Sequence, residues 1–277
     1  MEVVARRAPH EIGRLEQASH QLMEVFSRVS EAHVADQPAV ALDRLVRRLL
    51  ARRGLQSALV GYRGYPAHCS VSPNAVAVHG VPGQRALQRG DVFTLDIAAA
   101  SGGWMADMAW TYLMPGASHR STDEYAAAWR AYRQLLSGVH TGMTLEQLAV
   151  LCEDSARAEN LRPIKEFTGH GIGRDLHEPP VIPLAREAAR GTGPSSRIRL
   201  LPGMVVSIEP VYRPVERRDT ATVVAEPDGW AYRTSDDART YHFELTVAFR
   251  EDGPWILQFG CATDALPVTP PLGLASD

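Results

Sequence analysis

One lysine, Lys165, stands among the 29 basic residues of this 277-residue chain, so its positive charge is almost entirely arginine. The net charge is −3 and the basic residues are scattered, which leaves no basic stripe to track a nucleic-acid backbone. The lysine scarcity fits the codon usage of a GC-rich genome and says nothing about mechanism. Cysteine is almost as scarce. Cys69, Cys152 and Cys261 have no CxxC spacing, which excludes a zinc knuckle and a disulfide framework and suits a reducing compartment. No apolar run approaches the ~18 residues of a membrane span, and residues 1–7 lack the apolar segment of a signal peptide. The expectation is a cytoplasmic protein with neither a nucleic-acid nor a membrane partner.

What the chain does contain is carboxylates inside apolar strands. Asp96 lies in Val92-Phe93-Thr94-Leu95-Asp96-Ile97 and Asp107 in Met105-Ala106-Asp107-Met108-Ala109-Trp110, both strand-like. Ser101-Gly102-Gly103 between them signals a turn, and a two-residue loop at Ser101-Gly102 would set Asp96 and Asp107 directly opposite each other in an antiparallel pair. Opposed Cβ atoms are about 4.5–5.5 Å apart, so the two charges would repel strongly unless a cation sat between them. By itself the pair fits equally well the solvated face of a hairpin. Glu209, in Ser207-Ile208-Glu209-Pro210-Val211, and Glu244, in His242-Phe243-Glu244-Leu245-Thr246, repeat the pattern. Acids are rarely buried without a partner or a metal, and four such cases in one domain favour a shared metal centre. His170, in Gly169-His170-Gly171-Ile172-Gly173, offers a nitrogen donor between glycines that permit close approach, although a lone histidine is more often a satisfied core residue. Four carboxylates and one imidazole without thiolate form a hard donor set. It suits two divalent ions of iron(II), manganese or cobalt, and zinc is compatible.

Helix-spaced apolar residues run through 11–30 and 39–53, the second stretch ending at Gly54. Two more helices are expected after the hairpin, each opened by a capping box, at Ser121-Thr122-Asp123-Glu124 and at Thr144-Leu145-Glu146-Gln147. Two helices thus precede His79-Gly80 and two precede His170-Gly171, which reads as two related halves. Residues 1–266 are expected to form one catalytic domain, followed by a Pro-rich, poorly ordered tail at 267–277. Residues 184–199, rich in Ala, Arg, Gly and Ser, read as a mobile loop near the mouth of the site or as a plain connector.

Further motifs keep the same order: Gly61-Tyr62-Arg63-Gly64-Tyr65-Pro66 ahead of His79-Gly80-Val81-Pro82, an eleven-residue step from Asp96 to Asp107, Pro202-Gly203-Met204 before Ile208-Glu209-Pro210, and Asp228-Gly229-Trp230 before Glu244. With them, the chain from about residue 10 to residue 260 resembles the type I methionine aminopeptidases of the pita-bread metallopeptidase family. The resemblance implies an α+β pita-bread fold, a curved antiparallel sheet with outer helices and an internal pseudo-two-fold repeat. It implies Asp96, Asp107, His170, Glu209 and Glu244 as metal ligands, Asp107 and Glu244 being shared between two ions. His79, His177 and Glu209 become catalytic. Glu209 would move a proton from a dimetal-bridged hydroxide or water to the leaving amine, His177 would stabilise the oxyanion, and His79 would hydrogen-bond the scissile amide nitrogen. Leu59, Tyr62, Tyr65, Ser70, His79, Leu176, His177 and Trp230 become the substrate-binding set, although Tyr62, Tyr65 and Trp230 read alone as core aromatics. The implied activity is removal of N-terminal methionine from peptides and nascent chains, by a monomer working near the ribosome.

Several positions depart from the family pattern. Leu59 and Ser70 stand where cysteines are usual, with Cys69 beside the second. Leu176 replaces a common phenylalanine, Arg63 a histidine, and Leu245 the histidine that usually follows the last ligand. None of these is a metal ligand, and a pocket change of about 1–3 kcal/mol retunes specificity without changing the reaction class. Two alternatives follow: a specialised paralogue hydrolysing another N-terminal residue or a small amide, and a non-catalytic binding protein of the same fold.

Overall fold

The computed structural model describes residues 3–32, 34–215 and 222–274. Two helices open the chain, α1 (Pro9–Ser30) and α2 (Ala39–Arg52). The three- and four-residue spacing of Ile12, Leu15, Leu22, Phe26 and Val29 sets one face of α1 in the core, where all five are buried. The chain then runs through β1 (Gln56–Ser57), β2 (Ser70–Pro73) and β3 (Val76–Val78) into a long hairpin of β4 (Val92–Ser101) and β5 (Trp104–Leu113). The order recurs in the second half, with α3 (His119–Gly138) and α4 (Leu145–Ala158) ahead of β6 (Leu161–Pro163), β7 (Thr168–Gly171) and β8 (Glu178–Pro183). A short α5 (Arg186–Gly191) follows. Next come β9 (Val205–Ile208), β10 (Val211–Pro214), β11 (Val223–Ala225), β12 (Tyr232–Thr234), β13 (Tyr241–His242), β14 (Leu245–Arg250), β15 (Gly253–Ile256) and β16 (Cys261–Ala262).

Among the described residues the strand pairings are all antiparallel. The largest sheet has the order β16-β15-β14-β9-β7-β8, and β4 lies at the centre of another, between β2 and β1 at one edge and β5 at the other. An isolated bridge between Ala109 and Glu244 joins the two sheets. Beneath that junction Phe243 sits among Trp110, Trp129, Tyr132 and Tyr125, with ring centroids 5.1, 5.5, 5.8 and 5.7 Å away. Burying one such ring contributes about 1.5–3 kcal/mol, so both halves share an anchor at their meeting point. Among the described residues, no helix is long and apolar enough to cross a membrane.

Four local expectations are corrected. The β4–β5 loop is Gly102-Gly103, not Ser101-Gly102, because both residues of this two-residue turn have positive φ (57° and 75°), which glycine adopts without strain. Asp96 therefore faces Ala109 and Asp107 faces Ala98, and the two acids are diagonal neighbours instead of opposed ones. Helix α3 begins three residues earlier than its expected box, with Ser118 as the N-cap accepting from Ser121 N at 3.1 Å. The box at Thr144 and Gln147 forms as expected. Residues 184–199 hold α5 and a 3₁₀ turn instead of a loop at the mouth, and Arg186 pins them to Glu153 and Asp154 of α4 at 2.8 Å each.

The fourth correction concerns the tail. Residues 267–274 lie against α3 and β5, where Trp129 Nε1 donates to the carbonyls of Pro267 and Val268 (3.3 and 3.0 Å) and Trp110 Nε1 donates to that of Leu272 (3.2 Å). Leu272 itself is buried. Residues 275–277 of the expected tail lie outside the described residues. Truncation after residue 266 is expected to destabilise the protein by roughly 2 kcal/mol or more, since each unsatisfied buried donor costs about 1–3 kcal/mol. Urea unfolding of the truncated and full chains measures it, and equal stability would mean that the tail is idle.

Candidate metal centre

Asp96, Ala98, Asp107 and Ala109 share one face of the β4–β5 hairpin. Diagonal Cβ atoms in such a ladder are about 7–8 Å apart, and the alanine opposite each acid leaves the space between them open. The next strand delivers Glu244, whose N–H donates to Ala109 O at 2.9 Å. Side chains alternate along extended backbone: Phe243 points into the aromatic core, so His242 and Glu244 on either side turn to the opposite face, where Glu244 meets Asp107 and His242 meets Glu209. A buried network fixes this junction from behind, with Gln258 Nε2 donating to Asp107 O (2.8 Å) and to Thr246 Oγ1 (3.2 Å).

Glu209 follows the end of β9, where Pro210 interrupts the ladder. Ser207, two residues earlier on the same strand, donates its hydroxyl to Glu244. His170 on β7 pairs in register with Ser207. The glycines around His170 are there for clearance: a Cβ at position 169 would lie 2.2 Å from Ser207 O, and one at position 171 would lie 2.3 Å from Pro179 O.

The result is a concentrated set of donors. His170 Nε2 lies 3.2 Å from Glu209 Oε1, 3.6 Å from Asp107 Oδ2 and 3.9 Å from Glu244 Oε1. Ligand atoms of Asp107, His170 and Glu244 lie within 4.8 Å of one another, as do those of Glu209, His242 and Glu244, and Glu244 belongs to both groups. Burial and the charges of Asp107 and Glu209 push the Asp96 carboxyl well above its usual range. Burial likewise raises Asp107, with Glu209 adding to the effect, and burial with Asp107, Glu209 and Asp96 raises Glu244. For His170, burial opposes the charged form, but the hydrogen bond and charge of Glu209 and the charge of Asp107 outweigh it and lift the ring to about 9. Glu209 Oε1 is buried against His170 Nε2, 3.2 Å away. Several carboxyls pushed toward the neutral form around one charged imidazole are the signature of a site short of positive charge, and hard oxygen donors with one or two imidazoles fit divalent cations.

Asp96, Asp107, His170, Glu209 and Glu244 form the floor of a cavity of about 620 Å³, and every site residue singled out from the sequence lines it. Leu59, Tyr62, Tyr65, Leu176 and Trp230 supply apolar surface, and Tyr65 packs edge-on to Trp230 at 5.1 Å. Ser70, paired in register with Asp96, lines the cavity, and Cys69 does not; Cys69 is turned toward Asp43, with Sγ 3.7 Å from its carboxylate. His79 holds a left-handed backbone conformation (φ 58°), strained for a non-glycine residue, and hydrogen-bonds the Trp230 backbone. His177 stacks near His170, with ring centroids 4.3 Å apart, and its Nδ1 is 2.8 Å from Tyr62 Oη. Burial and the neighbouring His170 charge lower His177 to about 4.

Arg63, one of the departures from the family pattern, stands at the cavity lining beside Tyr62, its guanidinium 5.5 Å from that ring centre. Sequence reasoning passed over two features. Phe167 and Val78 extend the apolar wall. The second is His242, buried and two residues before Glu244, which burial pushes down to about 4. Its signal was available in the strand alternation around Phe243.

A sequence profile of metallopeptidase family M24 matches residues 13–251. Methionine aminopeptidase 1 of Mycobacterium tuberculosis is 32% identical over 266 residues, 93% of this chain and 96% of the relative. Methionine aminopeptidase 1 of Bacillus subtilis is 30% identical over 250 residues, 89% of this chain and 96% of the relative. The crystal structure of methionine aminopeptidase from Thermotoga maritima superposes with a TM-score of 0.83 at 27% identity, over 92% of this chain and 99% of that one. The fold is the pita-bread fold.

Metal removal should leave a pH signature. Without cations the folded state keeps protons on Asp96, Asp107 and Glu244 that the unfolded chain has already released. The folded state then binds more protons, so stability falls as pH rises from the ordinary carboxylate range toward neutrality. Thermal unfolding of chelator-treated protein should show that slope, and Asp107→Asn or added manganese(II) should flatten it. A flat profile in the metal-free protein would contradict the electrostatics described.

Proposed function

The chain belongs to metallopeptidase family M24, and we propose that it is a dimetal aminopeptidase that removes N-terminal methionine from peptides and nascent proteins. The observation that supports this most directly is the convergence of four carboxylates and His170 at the floor of a cavity with apolar walls. In this reading Asp96, Asp107, His170, Glu209 and Glu244 would hold two divalent ions. When bound, the ions supply Lewis-acid activation of a water and of the scissile carbonyl, and a position for the free α-amine that confines cleavage to the first peptide bond. Iron(II), manganese or cobalt suits these donors, and zinc is compatible.

The chain's own residues do the rest. Glu209 accepts the proton of the attacking water and delivers it to the leaving amine. His177 is neutral at physiological pH, and in the tautomer this role requires, Tyr62 Oη donates to Nδ1, 2.8 Å away, and Nε2 carries the proton. That N–H donates to the developing oxyanion. His79, fixed by its hydrogen bond to the Trp230 backbone, positions the scissile amide nitrogen. Leu59, Tyr62, Tyr65, Ser70, Leu176 and Trp230 receive the first side chain. The setting is cytoplasmic and close to the ribosome, where a monomer meets emerging chains. Leu59, Leu176 and the Ser70 hydroxyl support a second reading, in which another apolar first residue is cleaved in preference to methionine.

A tripeptide panel varied at the first residue separates the two readings, using anaerobic protein loaded in turn with iron(II), manganese(II) and cobalt(II). Selective release of methionine is expected, and release of a different residue would favour the specialised reading. His177→Ala should lower kcat by about 10²–10³-fold with little change in KM, as expected when one oxyanion donor is lost. An undiminished kcat would remove His177 from this role.

A further inference from the structure

We infer that His242 is an additional metal ligand, its Nε2 binding a divalent cation jointly with Glu209 and Glu244. The inference rests on the dimetal reading above and extends its donor set by one imidazole. His242 is 3% exposed, and among the described residues its Nε2 has no hydrogen-bond partner. Burying such a nitrogen without a partner costs about 1–3 kcal/mol, so its presence calls for a function. It faces Glu209, whose Oε1 is engaged by His170 Nε2 at 3.2 Å, and His242 Nε2 lies 3.8 Å from the other oxygen, Oε2. That gap is too long for a hydrogen bond. It suits two donors sharing an ion, because N and O ligands about 2.0–2.2 Å from a cation stand roughly 3–4 Å apart.

The backbone holds the ring in this direction. Thr111 Oγ1 accepts from His242 N at 2.8 Å and donates to His242 O at 2.9 Å. Phe243, locked in the aromatic cluster, turns both of its neighbours toward the site. His242 thus stands on the side of Glu209 and Glu244, while His170 groups with Asp107 and Glu244. A centre built this way has one imidazole for each of its two cation positions, which strengthens its hold on cobalt or zinc relative to a centre with one imidazole in all.

The test uses the full chain loaded with manganese(II) alone, measured by X-ray absorption at the metal edge and by calorimetric titration. Wild-type protein should show about one imidazole per bound ion. His242→Gln should halve that imidazole scattering and weaken one of the two ions about 10–100-fold, with circular dichroism unchanged. If the variant does not fold, the wild-type count decides: about one imidazole for every two ions overturns the inference. Manganese binding with scattering unaffected by His242→Gln overturns it too, and leaves the dimetal reading standing. A wild-type chain that takes up no manganese overturns both.

Discussion

Mutual repulsion among Asp96, Asp107, Glu209 and Glu244 is the constraint on which the rest of this structure depends. Four like charges drawn into one cavity floor cost several kcal/mol each unless they are neutralised, hydrogen-bonded or paired with a cation. The protein carries this cost through packing remote from the charges. The ring of Phe243 sits in an aromatic cluster shared by β5 and α3, and the Gln258–Thr246–Asp107 network ties two strands together just behind the site. Each carboxylate is thereby fixed by a backbone that has no freedom to retreat.

The two halves of the chain meet at these acids. Asp96 and Asp107 come from the first half, His170, Glu209 and Glu244 from the second, and the Ala109–Glu244 bridge is where the sheets join. Placing a charged centre on such a seam couples any cation bound there to the association of the halves. The cavity draws on both halves as well, with Tyr62 and Tyr65 from one and Leu176 and Trp230 from the other.

The convergence of the acids was legible because a carboxylate inside an apolar strand is locally inconsistent, and that inconsistency survives without any structure. The helices were legible for the converse reason: the spacing of Leu15, Leu22, Phe26 and Val29 agrees with its environment. The hairpin register was misread by one position on each side of the turn, since Ser101 competes with Gly103 for the loop until φ is known. The tail was misread for a different reason. Proline-rich composition argues for disorder, but the carbonyls of Pro267, Val268 and Leu272 find indole donors more than 130 residues away, which no local pattern encodes. His242 escaped notice because a histidine beside a phenylalanine looks like core, and only the alternation about Phe243 turns it toward Glu209.

The central claim is that the repulsion is resolved by two cations. Anomalous diffraction from crystals of the full chain soaked in manganese(II) tests it most directly. Two peaks about 3.5–4 Å apart, flanked by Asp107 and Glu244, are predicted. A cavity floor without anomalous density, or peaks only at places remote from the four carboxylates, would contradict the account.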